Sequence, residues 1–285
     1  MIWQQFANGL AIGSVYALIA LGLTMVYGVL RILHIAHAGV YALGAYIGLF
    51  AFRLLPNLWL AMAAAMVVCA LAGILIQRYL YMSLLALPRI VPLIASIGLF
   101  IAMEEIFRIL AGPYILAFPA TPGFGSIQLG TVKITNNQLL VFIVTLSLLA
   151  ILWFIISKTK LGLAMKVTSQ DLEMASVMGI NTERIVALNF LIGSALAGAA
   201  GVLVGVYFNS VYPTMGSIPA YKALAIIVLG GLGSIPGTVF GGLLIGLGET
   251  LLLGLTDIPF PRDALAFIIM ILILMFRPYG LLGKE

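Results

Sequence analysis

Apolar residues run along this chain in blocks too long and unbroken for the faces of a soluble domain, and polar residues gather in the short gaps between them. A helix crossing hydrocarbon needs about 20 apolar residues, because lipid offers the backbone no hydrogen-bond partner. That rule predicts spans near residues 4–30, 38–55, 58–76, 90–111, 137–157, 185–208, 217–233 and 236–255, with a shorter ninth near 263–276. The segments 217–233 and 236–255 are separated only by Gly-Ser-Ile-Pro, and the first contains Lys222, so these two read as partial or re-entrant. The expected fold is all-α: a polytopic membrane helix bundle of about eight spans, forming a single domain over residues 1–285.

One gap differs from the others. Residues 158–184, KTKLGLAMKVTSQDLEMASVMGINTER, carry Lys158, Lys160, Lys166, Asp171, Glu173, Glu183 and Arg184. Within it Leu172, Ala175, Val177 and Met178 fall roughly at helical spacing, and Gly179 ends the pattern as a helix C-terminal glycine does. The prediction is a short amphipathic helix outside the membrane, whose apolar face meets a partner.

Composition agrees with the pattern. The chain is 63% hydrophobic and 8% charged, where soluble domains are about a quarter charged, and its mean hydropathy is +1.21. A net charge of +5 in such a chain reports Lys and Arg in cytoplasmic loops, not a nucleic-acid partner. With 158–184 inside, alternation puts Arg31, Arg78, Arg89, Lys158, Lys160, Lys166, Arg184, Arg277 and Lys284 inside, and only Arg53, Lys133 and Arg262 outside. The N-terminus is therefore expected outside and the C-terminus inside. The first apolar run is too long for a signal-peptide core and is expected to stay as a span.

The outer loop 112–136 is rich in Gly and Pro, with a small hairpin predicted at 126–133 about Gly130. It serves either as a plain connector or as a surface for an external binding protein. Gly193, Ala197, Gly201 and Gly205 recur every four residues, a flat stripe for close helix packing. Gly230, Gly231, Gly233, Gly237, Gly241 and Gly242 suit a tight re-entrant turn.

Ionisable residues inside spans are costly and mark functional sites or wet cavities. Here they are Glu104, Glu105, Arg108, Lys222 and Glu249. Glu104 and Arg108 are spaced for an ion pair along one helix, and Lys222 and Glu249 are placed to pair across helices. Glu104, Arg108, Lys222 and Glu249 are the candidates for a hydrated translocation path in the outer half of the membrane, the other reading, for Arg108 above all, being an interfacial side chain that snorkels to headgroups. His34 and His37 lack further ligands nearby and read as a structural turn, so no metal is expected. Cys69 reads as a small core residue. The chain shows no phosphate-binding loop, no HExxH and no GxSxG. No cofactor or catalytic activity of its own is expected.

Particular motifs carry a resemblance. GSVYALIALGLTMVYGVL (13–30), IAHAG (35–39), LGAY (43–46) and LIASIGL (93–99) resemble the permease subunits of ABC importers for branched-chain amino acids, and the likeness runs nearly end to end. The most specific stretches are KTKLGLAMK through MGIN (158–181), KALAIIVLGGLGSIPG (222–237) and RPYGLLG (277–283), which point to the shorter LivH-type subunit. The resemblance implies that 158–184 is the coupling segment seated in a cytoplasmic ATPase, with Lys166, Asp171, Glu173, Ala175, Met178 and Gly179 at the contact. Where the family usually has Arg-Ala this chain has Lys166-Val167, a point charge in place of a bidentate fork.

The resemblance further implies two cytoplasmic ABC ATPase subunits, a second, longer permease making a heterodimer, a periplasmic substrate-binding protein, and residence in a bacterial inner membrane. Relatives in the same family carry urea, short amides or other amino acids. A rival class is a self-sufficient channel or ion-coupled carrier using Glu104, Arg108, Lys222 and Glu249 as its ion path.

Overall fold

The computed structural model describes residues 2–85, 87–119, 125–129, 132–255, 262–277 and 280–283. The stretch between the expected spans 236–255 and 263–276 lies almost wholly outside them. Each predicted span is a helix: α1 (Ile2–Leu30), α2 (His37–Leu54), α3 (Leu58–Leu75), α5 (Ile90–Ala111), α6 (Asn136–Lys158), α9 (Thr182–Phe208), α10 (Ser217–Gly230), α11 (Ile235–Leu255) and α12 (Arg262–Phe276). A π-helical segment, Ile76–Tyr81, carries α3 on into the single turn α4 (Met82–Leu84), and α7 (Lys160–Gln170) and α8 (Leu172–Val177) form the polar interlude. Among the described residues seven helices are long and apolar enough to cross a membrane, and the apolar part of α12 is a shorter piece. The chain is a multi-pass membrane protein.

Burial ranks the helices. α1 and α9 are mostly enclosed, whereas α3, α5 and α6 expose most of their apolar surface. Ile94, Ile101, Ile109, Ile143, Ile151 and Phe154 on the last two stand open, as side chains facing lipid do. α2 is 18 residues long and carries His37 and Arg53; it lies inside the bundle against α3 and α9.

Small residues set these contacts, because helices in lipid associate by close van der Waals contact and not by water exclusion. On α9, Gly193 abuts the backbone of Gly22 in α1, Gly201 abuts Tyr41 in α2, and Ala197 is fully buried. Gly205 faces the side chains of Phe118 and Val211, so the stripe ends against loop residues and not against a helix. A second seam joins α1 to α11: Gly13 lies against Gly246 and Leu243, Ala17 against Gly242, and Gly9 against Thr250.

That seam revises the glycine-rich region. Gly241 and Gly242 belong to the body of α11, which is 21 residues long and not partial. Only Gly231 and Gly233 turn the chain, with φ of 104° and 83°, in a helical hairpin that brings Gly230 onto Gly237. α10 is the shortened helix, 14 residues entered through the 3-10 turn Pro213–Gly216. Its last carbonyls would be orphaned, but Leu281 N–H donates to Leu229 O at 2.8 Å and Leu282 N–H to Gly230 O at 3.1 Å. The C-terminal segment thus closes the end of α10.

Loops expected on one side of the membrane meet one another. At the outer end, Gln4 and Lys133 exchange side chain–backbone hydrogen bonds at 2.9 and 2.7 Å, and Leu116 pairs with Val211. The hairpin is present as β1 (Ser126–Leu129) antiparallel to β2 (Val132–Thr135). At the opposite end Arg31 reaches the backbone of Gln170. This second end carries the excess of Lys and Arg, the sign expected of a cytoplasmic face.

Candidate functional site

The candidate path residues divide into two groups. α10 runs inward from its outer start and α11 runs outward, so Lys222 in the second turn of one and Glu249 late in the other reach one level in the outer half. Lys222 Nζ lies 2.8 Å from Glu249 Oε1 and 2.9 Å from Oε2, both side chains only 3% exposed. Tyr16 of α1 completes the group: its hydroxyl accepts from Lys222 Nζ at 2.9 Å and donates to Glu249 Oε2 at 3.2 Å. The ammonium also sits 4.8 Å from the Tyr16 ring centre. Three helices are therefore tied at one point. A buried ion with this partner set is tolerated where a lone one would cost several kcal/mol.

Glu104 and Arg108 are elsewhere, and they do not pair with each other. Arg108 binds Glu105 at 2.6 Å on an exposed face, while Glu104 accepts from Ser217 Oγ at 2.6 Å, joining α5 to the start of α10. On a helix both the third and the fourth neighbour are within reach, and Ser217 draws Glu104 away from Arg108.

Beside the ion pair lies a cavity of about 360 Å³ lined by α1, α2, the end of α9 and the start of α10. Its lining mixes aliphatic side chains, among them Ile12, Val15, Ile19 and Val204, with Tyr16, Tyr41, Tyr212 and Lys222. Sequence reasoning missed Tyr16 and the other tyrosines. A tyrosine in an apolar helix carries no sign of what it will meet.

At the positively charged end the polar interlude forms two helices, not one. Thr159 caps α7 by accepting from Gly162 N–H at 3.1 Å. Asp171 breaks the run with an extended backbone and caps α8, accepting from the N–H groups of Glu173 and Met174 at 2.9 and 3.0 Å. Gly179, at φ 83°, then turns the chain back toward α9. Lys166, Asp171, Glu173, Met178 and Gly179 are exposed. Ala175 is not: it is fully buried and faces the bundle, so it cannot touch a partner and instead seats α8. The outward apolar face comprises Leu172, Met174, Val177 and Met178, the last three 62–78% exposed. Met174 belongs to that face although its spacing did not single it out.

His34 and His37 are both buried. His34 Nδ1 lies 2.7 Å from Tyr81 OH, and no group of metal-ligating residues occurs among the described residues. Cys69 is buried in the core.

A lipid-facing bundle with a buried polar knot, an outer cavity and a projecting cytoplasmic hairpin is the layout of a membrane transport subunit. Residues 5–275 match the model of the branched-chain amino acid transport system / permease component family, and the chain belongs to that family. It is 39% identical to the high-affinity branched-chain amino acid transport system permease protein BraD of Pseudomonas aeruginosa, the match covering 99% of this chain and 95% of that one. It is 35% identical to the corresponding LivH protein of Escherichia coli over the same shares. It is 31% identical to a probable LivH permease of Methanocaldococcus jannaschii over 50% of this chain and 47% of that one.

Proposed function

We infer that this chain is the permease subunit of an ABC importer for branched-chain amino acids, one membrane domain over residues 1–285 with 158–184 as its coupling segment. Two cytoplasmic ATPases drive it, a second permease fills the other half of the pathway, and a periplasmic protein delivers the amino acid. Energy comes from those ATPases and not from a site in this chain. The single observation that carries the reading is the apolar knob Met174, Val177 and Met178 on α8, exposed at the positively charged end of the bundle. Water-exposed methionines and valine at that density mark a protein contact. Buried Ala175 and the Asp171 cap hold the knob in a fixed pose, so movement of a docked ATPase passes to α7 and α9. Closure of the ATPases on ATP would then tilt the spans in alternating access.

Replacing Met178 with Glu, or Glu173 with Lys, is expected to leave the protein in the membrane while separating ATP hydrolysis from uptake. Uptake assays in cells and ATPase assays on the purified complex check this. Unchanged coupling in both variants would count against docking on α8.

A further inference from the structure

α8 hands over to α9 at Thr182, and roughly two turns on Phe190 is fully buried. It belongs to a small cluster, separate from the main core, in which Val186 and Phe190 of α9 meet Val26, Val29 and Leu30 of α1 and Tyr81 of the π-helical segment. The cluster has a polar centre. His34, in the connector from α1 to α2, has its ring 5.3 Å from that of Phe190 and 5.2 Å from that of Tyr81, and its Nδ1 lies 2.7 Å from the Tyr81 hydroxyl. The His34 carbonyl accepts from His37 N–H at 3.1 Å where α2 begins, and Ile35 N–H donates to Ser96 Oγ of α5 at 3.3 Å. Five helices thus meet at one connector: α1, α2, α5, α9 and the continuation of α3.

Two features set this junction apart from ordinary packing. Along an α-helix each step of four overshoots a full turn by about 40°; the wider π turn, closed by Met82 N–H on Gln77 O, takes back part of that drift, and Gln77 and Tyr81 continue the buried row of Ala65, Cys69 and Gly73. Such turns are rare and gather at functional sites. Secondly, His34 Nε2 and Gln77 Nε2 are buried with no hydrogen-bond partner among the described residues. A pin serving stability alone has no use for such orphans, because each costs free energy. We propose that His34 and Tyr81 are positioning residues, the joint through which displacement of α8, entering at the start of α9, reaches α2 and the end of α3. Coupling is carried by packed side chains and hydrogen bonds between rigid elements. The hydroxyl–imidazole bond fixes both length and direction, whereas an apolar contact is non-directional and can slide. The proposal rests on the coupling reading above.

The assembly purified from its native membrane and placed in liposomes provides the test, read as leucine taken up per ATP hydrolysed and, separately, as the thermal midpoint. Tyr81→Phe removes one oxygen and keeps the ring; ATP hydrolysis should persist while uptake per ATP falls several-fold. The double variant Tyr81→Phe/His34→Leu removes both polar partners, so it should regain the stability that the single variant loses but not the uptake per ATP. His34→Gln retains a group that can bond the Tyr81 hydroxyl and should keep the wild-type ratio. If Tyr81→Phe fails to reach the membrane, the double variant decides. A ratio left unchanged by Tyr81→Phe, or one that recovers together with stability in the double variant, overturns the joint and leaves the transport reading standing. A wild-type assembly that hydrolyses ATP and moves no amino acid takes both down.

Discussion

The pair Lys222–Glu249 shows how a chain this apolar tolerates ionisable side chains. Each ion replaces lost water with the other and with Tyr16. Removing one partner leaves the other buried and uncompensated, so Glu249→Ala is expected to cost about 3–5 kcal/mol of stability. The double variant Lys222→Met/Glu249→Leu should recover much of that loss, because two apolar groups of similar shape need no partner. Unfolding in detergent measures both; equal losses for single and double variants would contradict the pairing. The two carboxyl and ammonium residues were legible from sequence, because a charge inside an apolar run stands out. Tyr16 was not, and neither was the choice of Glu105 over Glu104 by Arg108. Rotamers and neighbours on other helices decide such partners, and spacing along one helix does not report them.

Span positions came through from sequence to within a few residues, since hydrocarbon thickness dictates length. The internal detail of the polar interlude did not. Helical spacing around residue 172 gave α8 but not the break at Asp171, and it put Ala175 on the outer face when tertiary packing turns it inward. Asp171 holds the start of α8, so Asp171→Ala should cost the helix about 1 kcal/mol and speed proteolytic nicking within 158–184. An unchanged nicking rate would argue that packing alone orders α8. The α1–α11 seam was likewise hidden, because glycines at 9, 13, 242 and 246 mean little until their helices are known to be neighbours. Gly246→Leu drives a side chain into the backbone of Gly13, and the amount of folded protein recovered from membranes should fall several-fold. Recovery equal to wild type would show that the seam can open without loss.

Across the whole molecule, polar and charged segments sort to two ends, and the more positive end carries the hairpin of α7 and α8. The outer cavity and the exposed face of α8 lie near opposite ends of α9, whose last turn lines the one and whose first turn follows the other. The resemblance carried by residues 158–181 and 222–237 and the family match over residues 5–275 agree on what such a bundle is for. On the function proposed above, coupled transport by this bundle turns on what grips α8. A photo-crosslinking amino acid placed at Met178 in the native membrane tests this most directly. The predicted result is an adduct with a nucleotide-hydrolysing subunit, formed at the cytoplasmic face; an adduct with lipid alone, or labelling of this position by a membrane-impermeant reagent from outside the cell, would contradict it.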